Sequence, residues 1–359
     1  MPSLDDFSTN RYFETSDSPT KPQVELPSPS RHPDLCFNDG NLAILTGDHY
    51  FLVHQGLLCR HSTVLSSVVK ALEGKQARFL EGRLVLELED ASDDVYYFLL
   101  ALYDGISALK FDLDDFGVIA AILRLSTKYQ VKHLRMELIR GLSLAWPKTL
   151  PQWEIREAKA TSMDGMYEPR KTISHPILVI NLARASDAPE LLPAAFYDLS
   201  RSSPSDCASG YICPLTSKTH QLSDYDLLCL LRGKEHASRF LSTFIVNELE
   251  GRDSSASCIN HLESDNSRRR ACQAAFEAIT FEILRDVNGV VCHRSSDPLF
   301  AIMDAELMQT REDSLGRPSA ILRACEFCRS EFGAAVDAAR EEFWLRLPQW
   351  FGVDLQSWA

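Results

Sequence analysis

Residues 51–62 read Phe-Leu-Val-His-Gln-Gly-Leu-Leu-Cys-Arg-His-Ser, "FLVHQGLLCRHS", and hold His54, Cys59 and His61 close together. Three readings compete: a metal site, a Cys/His catalytic pair, or a junction between a strand and a helix. Along a strand the side chains alternate, so Phe51 and Val53 share a face and His54 takes the other. His54 then falls where strand gives way to helix, and its imidazole is expected to hydrogen-bond turn backbone. Leu57 and Leu58 anchor a short helix in the core, with Cys59 a small hydrophobe beside them. Ser62 suits the N-cap of a helix beginning at Thr63, its oxygen accepting an orphan backbone N–H. The set has neither the Cys-x-x-Cys nor the His-x-x-x-His pairing that zinc sites use. Nothing in it supplies the base and oxyanion donors that a cysteine nucleophile needs. The junction reading is therefore preferred, and the stretch predicts a fold and not a chemistry.

Working outward, "LCFNDGNLAIL" (35–45) is a strand interrupted by an Asn-Asp-Gly turn, and "HYFLV" (49–53) is the strand that ends at His54. "TVLSSVVKALEG" carries helical spacing at Val64, Val68, Ala71 and Leu72 and stops at Gly74. In "RLVLELED" (83–90), Leu84, Leu86 and Leu88 alternate with Val85, Glu87 and Glu89, which predicts a half-buried strand. Ser92 precedes Asp93 and Asp94, a helix start with acids at the positive end of the dipole. Val95, Phe98, Leu99 and Leu102 line that helix. A second carries Phe116, Ile119, Ala120 and Leu123, with Asp114-Asp115 at its start, and a third carries Leu134, Leu138, Leu142 and Ala145 before Pro147. Strands, a helix, a strand and then helices make an α+β order, not alternating βαβ units.

The ends of the chain read differently. Residues 1–31 hold five prolines among Ser, Thr and Asp without any period, and are expected to be a disordered tail. The α+β unit covers 32–150, residues 151–176 read as a linker or loop, and 177–355 as a helical C-terminal domain. Within the latter, residues 201–220 look like an exposed loop. Ser223 with Asp226 starts a helix that runs toward Glu250, with a weak point at Gly233. A polar loop follows at about 251–267. Asp297-Pro298 starts another helix, Asp as cap and Pro at the first helical position. The last helix spans Ser319 to about Leu347 and ends at Pro348.

Composition limits the partners. Fifty acids against 37 bases give a formal charge of −13, which repels DNA and anionic membranes, so no nucleic-acid or membrane partner is expected. The start, "MPSLDDFSTNRYFE", has no basic stretch followed by an apolar one, and no apolar run approaches the roughly 20 residues a membrane helix needs. An intracellular location, cytoplasmic or nuclear, follows as the expectation, with ten cysteines kept as thiols or metal ligands.

The order of motifs in the first unit resembles the BTB/POZ domain, in particular the BTB proteins that basidiomycete fungi carry in large numbers. The resemblance rests on "HPDLCFNDGNLAIL", "FLVHQGLLCRHSTVL", "VLELEDASDDVYYFLLALYDG" and "ILRLSTKYQVKHLRMELIRGL". Within them Asp34, His54, Ser62, Lys128 and Tyr129 are the residues that match the motif. The end of the chain, "CEFCRSEFGAAVDAAREEFWLRLPQWFGV", is similar to the C-terminal part of the same proteins. Two positions depart from the pattern: Gln55 stands where the family often has a basic residue, and Leu65 where it often has Phe. Both lie near surfaces that such domains use to pair. The resemblance implies a non-enzymatic module for homo- or hetero-association. It also implies an alternative, a substrate adaptor of a cullin-type ubiquitin ligase. In such adaptors a hydrophobic-x-Glu motif docks the cullin scaffold, which here points to Phe79 and Glu81.

Cys325-x-x-Cys328 is the better metal candidate, because a spacing of three puts both thiols on one helical face within reach of a single zinc ion. The second half of the site would come from Cys207 and Cys213, from Cys292-His293, or from Cys258 and His261. The competing reading is two small thiols packing a helix face. A thioredoxin-like role is disfavoured because the strand that should precede the motif is missing. Arg268-Arg269-Arg270 reads as a short nuclear-localisation fragment or as the solvated start of a helix. No P-loop, Gly-x-Ser-x-Gly or His-Glu-x-x-His motif occurs, and no enzyme is expected.

Overall fold

The computed structural model describes residues 29–72, 77–108, 116–162, 166–171, 173–214, 216–285, 297–309 and 323–358. Residues 1–28 of the tail expected over 1–31, the stop at Gly74, the acids Asp114-Asp115 and the Cys292-His293 pair lie outside them, whereas Ser30 and Arg31, expected in that tail, begin a strand.

The chain is mixed α+β. Its first part is a five-stranded sheet of β1 (Ser30–Cys36), β2 (Leu42–Thr46), β3 (His49–Val53), β4 (Phe79–Leu80) and β5 (Arg83–Glu87), in the order β1-β3-β2-β5-β4. β2 and β3 pair antiparallel, as do β4 and β5, whereas β1 runs parallel to β3 and β2 parallel to β5. Alternation decides the faces. Leu42, Ile44, Phe51, Val53 and Leu86 enter one apolar core, and Ala43, Tyr50, Leu52 and Val85 form a smaller cluster on the other side. The larger core is completed by α1 (Gln55–His61), α2 (Thr63–Leu72), α3 (Ser92–Asp104), α4 (Phe116–Lys128) and α5 (Lys132–Ala145). Phe51 and Val53 share a face as the period predicted.

A second core begins at Trp146 and takes in α6 (Leu150–Lys159), α7 (Pro176–Ala185), α8 (Leu192–Ser200), α9 (Pro204–Ser209), α10 (Asp224–Phe244), α12 (Ala271–Arg285), α13 (Pro298–Leu307) and α14 (Glu326–Trp350), with the exposed helix α11 (Asn266–Arg269) leading into α12. The two cores touch, since Leu182 of α7 is buried in the first while Leu142 and Ala145 of α5 pack against the second.

Several caps match the sequence. Ser223 Oγ accepts from the Asp226 N–H at 3.1 Å, and Asp297 Oδ1 from the Phe300 N–H at 3.1 Å. Other expectations are corrected. Residues 151–176 are not a plain linker: α6 occupies their start and buries Leu150, Trp153, Arg156 and Glu157. Two of its four inward positions are charged, so the helical stripe does not read as apolar. Ala91, not Ser92, is the N-cap of α3. The strand expected over 83–90 ends at Glu87, and the loop before it is a strand, β4. Residues 201–220 hold α9 and a small hairpin of β6 (Tyr211–Ile212) and β7 (Thr219–His220).

The helix from Ser223 ends as α10 at Phe244 and continues as one π-helical stretch, Ile245–Leu249. Gly233 is no weak point. It is where the Phe351 ring packs, and a Cβ there would lie 2.0 Å from two ring carbons. The last helix is described from Glu326, with the expected start at Ser319 lying outside the described residues, and runs through Pro348 to Trp350. Proline has no N–H for the carbonyl four residues back. That carbonyl, of Trp344, accepts instead from the Trp358 indole N–H at 2.9 Å.

Candidate metal centre

Four cysteines from three separate segments meet in the second core. Cys258 opens the turn Ile259–Leu262, Cys272 lies in the first turn of α12, Cys325 is the N-cap of α14, and Cys328 lies in its first turn. All four are buried, and their Sγ atoms lie within 4.8 Å of one another. Cys258 Sγ is 3.6 Å from Cys272 Sγ and 3.7 Å from Cys325 Sγ. N–H donors point at the sulfurs, among them the Ser255 amide at Cys328 Sγ (3.3 Å), the Cys325 amide at Cys272 Sγ (3.2 Å) and Asn260 Nδ2 at Cys272 Sγ (3.3 Å). Such donors favour thiolate over thiol. Burial pushes the Cys325 thiol up, but backbone N–H groups of Cys328 and Ile259 outweigh it and bring the pKa down to about 7. Burial dominates at Cys272 and Cys328, whose thiols are raised.

Cys325 and Cys328 do come together, but not on one helical face, because Cys325 precedes the helix as its N-cap. Of the proposed second halves, Cys258 takes part and His261 is exposed outside the cluster. Cys207 is buried with its thiol toward the Leu199 carbonyl, and Cys213 is half-buried in the β6–β7 hairpin, neither in the cluster. Cys272 escaped the sequence reading. Its only signal was a cysteine at the head of an apolar helical run, where a thiol passes for a small hydrophobe.

The opening stretch holds no such centre. His54 makes side-chain contacts in place of the expected turn backbone: Nδ1 lies 2.9 Å from the Tyr103 hydroxyl, which also accepts the His54 amide N–H, and Nε2 lies 3.3 Å from Asp39. Ser62 caps as predicted, accepting from the Leu65 N–H at 2.9 Å, and its hydroxyl donates to the Tyr129 carbonyl at 2.6 Å. Cys59 is half-buried and His61 meets the His133 ring. Lys128 Nζ and the Tyr129 hydroxyl both donate to the Asp90 carboxylate, the former at 2.7 Å. Exposed Asp34 accepts from the Tyr96 hydroxyl at 3.4 Å.

Phe79 projects from β4 and is 65% exposed. Glu81 is engaged. It accepts from the Tyr50 hydroxyl at 2.5 Å and from Arg31 at 2.9 Å, and lies 3.8 Å from Arg83. With Gly82 it forms the two-residue turn between β4 and β5, both at positive φ, as a type I′ turn requires. Arg268, Arg269 and Arg270 are exposed at the one-turn helix α11.

Sequence reasoning also missed a buried ionic network. The Arg156 guanidinium lies 4.2 Å from the Trp153 ring and donates to Glu157 and Asp198, each at 2.6 Å. Arg201 joins Glu157, Asp198 and Asp297, and Arg170 adds a further bond to Asp198. Burial disfavours the Asp198 carboxylate, but Arg156, Arg170 and Arg201 hold it well below the usual range. Three cations face three anions, so the cluster is closed on itself and knits α6, α8 and α13 together.

No protein-family model matches the chain, and no curated protein matches it. Among the described residues no helix is long and apolar enough to cross a membrane.

Proposed function

We propose that the protein is a non-enzymatic association module whose first unit is a BTB/POZ-like domain. The observation that supports the reading is that Ser62, Lys128 and Tyr129 are engaged within the unit's own fold. Ser62 reaches the Tyr129 carbonyl, and Lys128 and Tyr129 both reach Asp90 at the end of the β5 region. These groups are spent on joining strand ends to helix ends, a structural task. What the unit offers outward is sheet edge and isolated apolar side chains, Val68, Phe79, Met136 and Leu144. A stable pair would bury on the order of 1,200–2,000 Å². Size-exclusion chromatography with light scattering on the full chain tests self-association. A dimer at micromolar concentration is expected, and a strict monomer there would count against homotypic pairing.

The exposure of Phe79 favours a second reading, docking to a cullin-type scaffold. Because Glu81 is held by Tyr50 and Arg31, Glu81→Lys would disturb the turn itself, and Phe79→Ala is the cleaner probe. Phe79→Ala should weaken pull-down of a recombinant cullin scaffold at least about tenfold, as expected for an anchoring aromatic. Equal recovery of the scaffold with wild type and variant would remove Phe79 as a contact.

A further inference from the structure

We propose that Cys258, Cys272, Cys325 and Cys328 together form a closed structural zinc site that clips three segments of the second core. The claim is independent of the association reading. Zinc bonds thiolate sulfur at about 2.3 Å in a tetrahedron, whose sulfur-to-sulfur edge is then about 3.8 Å. The two sulfur pairs at 3.6 and 3.7 Å match that edge, and the full set lies within 4.8 Å. A disulfide would bring its sulfurs to about 2.05 Å. Thiols used only as small hydrophobes have no reason to converge, and the remaining described cysteines, Cys36, Cys59, Cys207, Cys213 and Cys229, lie outside the cluster.

The ion accounts for the local polarity as well. Four thiolates around Zn²⁺ carry a net charge of −2, which needs hydrogen-bond donors where water is excluded. The Ser255 and Cys325 amides and Asn260 Nδ2 already aim at these sulfurs. The N-terminus of α14, a 25-residue helix, adds the positive end of its dipole at Cys325 and Cys328. With all four positions taken by protein sulfur, none is open to water or substrate, so the site is structural and not catalytic. Its work is to fasten the loop after α10 to the first turns of α12 and α14.

The test uses the full chain, purified under reducing conditions without chelator. Elemental analysis should find about one zinc per chain, released as a mercurial reagent titrates four thiols. Cys272→Ser should lower bound zinc at least about tenfold, whereas Cys59→Ser should leave it unchanged. If Cys272→Ser does not fold, cobalt titration of metal-stripped wild type decides. Intense sulfur-to-cobalt charge-transfer bands with tetrahedral ligand-field bands are expected. Reduced wild type that holds no zinc and gives no such bands overturns the proposal. So does iron as the native metal, a pair of disulfides among the four cysteines in the native protein, or full zinc retention by a folded Cys272→Ser.

Discussion

At the scale of single residues, a buried histidine ties helix stability to pH. His175 is the N-cap of α7, its Nδ1 accepting from the Ile177 N–H at 3.3 Å while its ring stacks on Tyr211. Only a neutral imidazole can accept at that nitrogen. Burial, with Arg170 adding repulsion, lowers the pKa to about 4. A base whose folded pKa is depressed lends stability that is full above its unfolded value, about 6.5. That stability is lost as pH falls from there through about 4, because the unfolded chain takes up the proton first. Urea titrations should therefore give a lower midpoint at pH 5 than at pH 7. His175→Asn, which keeps a capping acceptor that does not titrate, should flatten the difference, and an unchanged slope with pH would remove His175 as its source. The Ser62 cap was readable because capping is local: one oxygen, one helix start. Of the four-cysteine cluster, Cys272 alone was not readable. The Cys-x-x-Cys spacing announced Cys325 and Cys328, but Cys272 lies 53 residues from Cys325 and nothing short-range marks it.

At the scale of elements, legibility followed whether the buried face is apolar. The strands and α3 to α5 show clean periods, and α10 and α13 announce themselves by Ser223 and by Asp297-Pro298. α6 was lost because Arg156 and Glu157 sit on its inward face, and β4 because two residues are too few for a period. Gly233 shows the reverse error, in which a local rule reads correctly and tertiary packing overrides it. By helix propensity alone, Gly→Ala at mid-helix gains about 1 kcal/mol. Here the added methyl meets the Phe351 ring at 2.0 Å. Gly233→Ala should cost about 1–3 kcal/mol, typical of overpacking. Equilibrium denaturation checks the sign, and a stabilised variant would show that the α10–α14 contact yields freely.

At the scale of the whole molecule, the two cores are joined and not merely adjacent. Leu182 belongs by sequence to the second half, yet its side chain is buried in the first core. Leu182→Ala should cost about 2–5 kcal/mol and lower hydrogen-exchange protection of β2 and β3, which lie well over 100 residues earlier in the chain. Exchange in those strands that does not respond would make the halves energetically separate. The probe matters, because all five tryptophans lie at or beyond residue 146. Their fluorescence follows the second core alone.

The C-terminal lock has a consequence for how the chain is made. Trp344 donates its indole N–H to the Lys148 carbonyl, 196 residues earlier, and Trp358 in turn closes on Trp344. On the ribosome the sheet unit can collect nearly all its partners as it emerges, whereas Trp153 and Phe196 must wait for Trp344 and Phe351. For most of the synthesis of the second half those rings lack the cover that α14 and Phe351 bring. Newly made protein should therefore lean on chaperones that shield apolar surface until α14 leaves the exit tunnel.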